Sequence, residues 1–173
     1  MCGKRGVSLI EIILAVVILG LVAVVTLPRL SRAAASPDSG AQLRADLKIL
    51  RVAIERYYQD HVAYPGQQGD GMHPARTPEA TVAQLTRYTN ERGQTADRPD
   101  ASHRFGPYLR DGIMPCPVAV RADLTGVRVV VGTVDVGHFS AADDTGWIYN
   151  CETGQIAANS AANDAAGRRY ASY

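Results

Sequence analysis

Hydrophobic positions are concentrated at one end of the chain. From Val7 to Pro28 the sequence reads VSLIEIILAVVILGLVAVVTLP, and Ser8, Glu11 and Thr26 are its only polar residues. As a helix, these 22 residues would span roughly 33 Å, enough to cross a bilayer core. Lys4 and Arg5 precede the run, which by the positive-inside rule keeps the N-terminus cytoplasmic and exports the remainder of the chain. A buried core helix and a cleaved secretory signal are the competing readings. Ala33-Ala34-Ala35-Ser36 would be the small-residue cleavage site of the second. The length of the run and its basic flank disfavour the first, and the second leaves Glu11 unexplained, because a carboxylate in such a run needs a partner.

After Pro28 the pattern changes. Ser36-Pro37-Asp38 reads as a helix start, with a capping hydroxyl, a proline at the first helical position and an acid facing the helix dipole. From Ala41 to His61, Leu43, Leu47, Leu50, Ile54 and Tyr57 or Tyr58 recur at steps of three and four, one face of an amphipathic helix. Arg44, Lys48, Arg51, Glu55 and Arg56 lie mostly off that face. Tyr64-Pro65-Gly66 ends it, and a loop runs to Pro78. Thr77-Pro78-Glu79, followed by Val82, Leu85 and Tyr88, predicts a short helix over about 78–89. The last third reads as strands: Val127–Val136, then Trp147–Cys151 and Gln155–Ala157 as a hairpin around Gly154, with Val118–Val120 as a further candidate. The tail from Asn159 reads as small, polar and frayed.

Lys4-Arg5-Gly6, then Val7-Ser8-Leu9-Ile10-Glu11 and the apolar run, resemble the class III signal of type IV pilins and type II secretion pseudopilins. That pattern is a short basic leader ending in Gly, a cut, a hydrophobic first residue and a Glu five residues into the mature chain. Val7 stands where the family usually has Phe. The region of Tyr108-Leu109-Arg110 and Pro115, with Gly146-Trp147-Ile148-Tyr149-Asn150 and Thr153-Gly154, is also similar to pseudopilin C-terminal regions, more loosely.

The resemblance implies an α+β fold of type IV pilin kind, with a long N-terminal helix, half membrane and half amphipathic, packed on a C-terminal antiparallel sheet. The expected divisions are a leader over 1–6, a transmembrane and filament-core helix over 7–28, and its amphipathic continuation over 29–62. A connecting loop with a short helix spans 63–106, then an antiparallel sheet region 107–158 and a flexible tail 159–173. It implies cleavage by prepilin peptidase between Gly6 and Val7, N-methylation of Val7, and Glu11 neutralising the N-terminal amine of a neighbour during filament assembly. Gly20 and Pro28 would be points where the helix loosens or kinks. The expected partners are copies of the chain, other pilin-like subunits, prepilin peptidase and an inner-membrane assembly platform. The expected location is the inner membrane in a single pass, with the C-terminal domain periplasmic, and then a periplasmic or extracellular filament. An anchored periplasmic binding module or enzyme, or a minor pilin with a ligand- or DNA-binding role, is the alternative.

Composition adjusts this picture little. The net charge of +1 argues against a nucleic-acid partner held by bulk charge, and the 16 Arg and two Lys are not clustered in sequence. Cys2 lies in the leader. Cys116 and Cys151 form an even pair in a segment expected to face an oxidising compartment, which favours a disulfide closing about 35 residues and worth roughly 4 kcal/mol. Two free, partly buried thiols are the alternative. His61, His73, His103 and His138 are scattered, and no hydrolase, zinc, P-loop or dinucleotide fingerprint is present. No catalytic residue, metal ligand or cofactor is therefore assigned and no enzymatic activity is expected. Calcium at Asp135 and Asp143-Asp144 is a candidate against an ordinary solvated acidic turn.

Overall fold

The amphipathic period over residues 41–61 produces the element on which everything else is assembled. In the computed structural model, which describes residues 37–121, 123–132 and 144–173, it is helix α1, Pro37–His61. Leu43, Leu47, Leu50, Ile54 and Tyr57 are at most 2% exposed. They share one core with Leu85, Leu109, Val127, Trp147, Tyr149, Ile156 and Tyr170.

Helix α2, Pro78–Thr86, starts at Thr77, whose Oγ1 accepts from the Ala80 amide at 3.3 Å. This satisfies one of the amide donors that a helix start leaves open. Strands β1 (Tyr88–Thr89) and β2 (Thr95–Ala96) form a two-stranded antiparallel ribbon. Strands β3 (Val127–Val130), β4 (Trp147–Asn150) and β5 (Ile156–Ala158) form a three-stranded sheet in the order β3-β4-β5. β4 and β5 are the hairpin expected from the sequence, antiparallel, with Trp147 opposite Ala158. Gly154 has φ +72°, and a Cβ there would meet the Tyr64 ring, so the turn requires glycine for its backbone and for its neighbour alike. A 3-10 turn, Tyr170–Ser172, closes the chain onto the core.

The pilin-like expectation for the fold is corrected. The long helix described has 25 residues, the sheets are small, and the three-stranded one is mixed, because β3 runs parallel to β4. The β-branched run after Val127 predicts a strand but does not encode its partner. A parallel pair needs a crossover, here between Val130 and Trp147. The single-pass inner-membrane placement is corrected as well: among the described residues, no helix is long and apolar enough to cross a membrane. The exposed face of α1 is charged, with Arg44, Lys48, Arg51, Glu55 and Arg56 on it. The run from Val7 to Pro28, which carries the membrane expectation, lies outside the described residues.

Two smaller expectations also change. Residues 118–120 are not a strand. Pro117 lacks an amide donor, and the Ala119 amide donates to Cys116 O at 3.3 Å in a turn that leaves Val120 73% exposed. The tail is not frayed. Asn159, Ser160, Tyr170 and Ala171 are buried, and Ser160 Oγ donates to Val118 O at 2.5 Å.

Candidate functional site

Helix α1 shows two contrasting faces. Its outward side carries Arg44, Lys48, Arg51 and Arg56, with Glu55 among them. Ile49 and Val52 are also exposed there, at 50% and 44%. Among the described residues, none of these four cations forms an ion pair with an Asp or Glu side chain. The tail extends this surface. Arg51 Nη2 donates to the Tyr173 carbonyl at 2.7 Å and to that of Ile156 at 3.4 Å, which ties α1 to the free edge of β5. The guanidiniums of Arg44 and Arg168 lie 5.2 and 5.4 Å from the Tyr173 ring centre, within cation–π range. Asp164 fixes the arrangement: Oδ2 accepts from Tyr173 OH at 2.6 Å and from Arg168 Nε at 3.0 Å. The bond from Tyr173, with those from the Arg168 and Ala166 amides and the Arg168 side chain, holds the Asp164 carboxyl at about 2, well below its usual value. Arg44, Leu47, Arg51, Arg168, Ser172 and Tyr173 line an open cleft of about 370 Å³. Chemically this is a surface for anionic oxygen groups beside aliphatic contacts.

A second cluster lies at the C-terminal end of α1. His61 Nε2 is 3.0 Å from Thr89 Oγ1 and 3.2 Å from Tyr108 OH, and Tyr108 OH donates to Asp60 Oδ2 at 2.8 Å. Burial holds the His61 imidazole below its ordinary value, against the pull of the Glu91 backbone and the Asp60 charge. Burial and the bond to Asp60 push the Tyr108 phenol up. This cluster ties the loop after β2 to the helix.

The connecting loop is held by buried polar side chains that carry no motif in the sequence. Gln84 is fully buried: Oε1 accepts from the Gly66 amide at 2.7 Å, and Nε2 donates to Gln68 O and Gly93 O at 3.2 and 3.0 Å. Asp70, 1% exposed, accepts from the Met72 and His73 amides at 2.9 and 2.5 Å and from His73 Nδ1 at 2.9 Å. Burial alone would raise the Asp70 carboxyl, but the bonds from His73 and Met72 outweigh it and hold it below 3.8. The Asp70-Gly71-Met72-His73 stretch is the one sequence signal for this clamp, since Asp caps its own turn two and three residues on.

Of the residues singled out in the sequence, Gly6, Val7, Glu11, Gly20 and Pro28 lie outside the described residues. Cys116 and Cys151 are both buried and both free, which corrects the expected disulfide. Cys116 packs against Gly146 just before β4, while Cys151 comes directly after its last residue. Five extended residues span roughly 16 Å, and a disulfide needs Cα atoms within about 7 Å. Burial pushes the Cys116 thiol up to about 11 and raises that of Cys151, so both are held as inert protonated thiols. Of the calcium candidates, Asp135 and Asp143 lie outside the described residues. Asp144 is exposed and 3.8 Å from Arg121. No group of three or more His, Cys, Asp or Glu able to hold a metal occurs among the described residues. Tyr57 and Trp147 are core residues, and Trp147 Nε1 donates to Met114 O at 2.8 Å.

Comparison of the chain with protein-family models, with curated proteins and with solved structures finds no match.

Proposed function

We propose that the chain is a structural subunit of a type IV pilus-like filament or a secretion pseudopilus, and not an enzyme. In this reading prepilin peptidase cuts between Gly6 and Val7 and methylates Val7, and the partners of the mature chain are its own copies and other pilin-like subunits. One observation carries the proposal: the spacing of Lys4-Arg5-Gly6, Val7 and Glu11 at the head of an apolar run. Glycine before the cut lets a protease fit an extended backbone closely, with no side chain to clash. Cleavage there creates an amine four residues before Glu11, and a carboxylate in apolar surroundings needs such a counter-charge. The exposed Ile49 and Val52 on α1 support a role in which this helix contacts another chain.

The test is the intact mass of the protein purified from cells with active prepilin peptidase. The expected product lacks residues 1–6, with or without one added methyl, and Gly6→Val remains full length. A wild-type chain that keeps its leader in those cells contradicts the proposal.

A further inference from the structure

The geometry points to a head-to-tail contact in which the cationic face of α1 receives the Asp123 and Asp144 surface of a second copy of this chain. The inference rests on the filament reading and names the surfaces that reading would use. Three observations support it. First, Arg44, Lys48 and Arg56 surround exposed Ile49 and Val52 without a carboxylate partner among the described residues, so the face offers both charge and apolar area to an outside group. Second, the chain is complementary to itself. The cationic face and its tail hold Arg44, Lys48, Arg51, Arg56 and Arg168 against Glu55 and Asp164. The rest of residues 37–173 has nine Lys or Arg against fourteen Asp or Glu. Third, the two surfaces lie on different strands of one sheet, the cationic one at the β5 edge and the acidic one at the start of β3 and of the central strand β4. Arg51 reaches the Ile156 carbonyl on β5, one edge of the β3-β4-β5 order. Asp123 and Asp144, with side chains 78% and 85% exposed, lie in the segments leading into β3 and β4 and, among the described residues, share Arg121 as an ion-pair partner, at 3.6 and 3.8 Å. A contact between two different surfaces leaves each copy with one free acceptor and one free donor, so it repeats without closing unless the rotation forms a ring.

The test is cysteine cross-linking of the full-length chain carrying Cys2→Ser. Lys48→Cys combined with Asp144→Cys should give, on oxidation, a ladder of dimers, trimers and larger species, which either single variant lacks. Cys116 and Cys151 are buried and serve as the background control. A product that stops at dimer would show a closed two-fold contact and overturn the inference, as would no product. Charge reversal checks it without new thiols. Lys48→Glu with Arg56→Glu, or Asp123→Arg with Asp144→Arg, should each weaken self-association about tenfold or more at low salt. Mixing the two reversed chains should restore it. Restoration absent from the mixture overturns the inference, and so does capture of a phosphate polymer by the cationic face with self-association unchanged. Failure of the filament reading is distinguishable: there Glu11→Ala leaves assembly intact while the charge-reversed chains still lose it.

Discussion

Helix α1 with its sheet and the segment between Val62 and Leu109 each enclose fully buried side chains, yet they are built on opposite chemistry. The first is a continuous apolar interior, Leu43, Leu47, Leu50, Ile54 and Trp147 packed together. The second folds around polar groups: Gln84, Asp70 and Thr89 are at most 1% exposed; Gln84 and Thr89 bond groups on distant turns, and Asp70 caps its own turn. Apolar packing is non-directional and tolerates exchange of similar volumes. A buried hydrogen-bonding side chain does not, because its removal leaves the groups it satisfied with neither partner nor water.

The difference can be broken experimentally, beginning with the largest effect. Trp147→Ala should cost about 3–5 kcal/mol, the usual range for deleting a buried aromatic, with loss of the Nε1 bond to Met114 O included. Chemical denaturation measures it, and a cost below 1 kcal/mol would remove Trp147 from the centre of the core. Gln84→Leu keeps the volume and adds apolar character, yet should cost about 2–4 kcal/mol, from roughly 1–3 for each buried backbone group left unpaired. If Gln84→Leu were neutral, the loop would be held by packing after all and the contrast would fail.

Asp70 sharpens the comparison through pH. Its carboxyl is held below 3.8 in the folded chain, so its contribution is complete above that value. It is lost as pH falls through the lower folded value. Asp70→Asn should therefore be less stable than wild type near neutral pH, and the gap should narrow below about pH 4. A constant gap across that window would mean that the charge has no part in the clamp. The smallest effect has the opposite sign. Val62, just past the end of α1, has φ +53° and is 80% exposed, a left-handed conformation that a β-branched residue resists. Val62→Gly should stabilise the fold by about 1 kcal/mol, seen as a rise in Tm.

The same contrast decides how much of the molecule was legible in its sequence. The stripe on α1, the Thr77 cap and the Gly154 turn were legible, because a period, a capping hydroxyl and a tight turn each leave a local mark. The parallel pairing of β3 with β4 was not, since strand composition carries no partner. The roles of Gln84 and Asp70 were not either, because a polar residue on a short helix or in a Gly- and Pro-rich loop reads as solvated whether or not it is buried. The cations on α1 are evident from the helical period. Arg168 and Tyr173 were missed because a small polar tail gives no sign that it folds back, and the disulfide was inferred from cysteine count where β4 holds the two thiols apart.

Glu11 is a further polar group, set in an apolar stretch of sequence, and the functional reading depends on what satisfies it. Its replacement by alanine is the most direct test, measured as filament yield relative to the total amount of processed protein. The account predicts a chain that is made, cut after Gly6 and retained in the cell but absent from filaments, because losing a buried counter-charge costs about 3–5 kcal/mol. Filaments of Glu11→Ala at wild-type yield would contradict it.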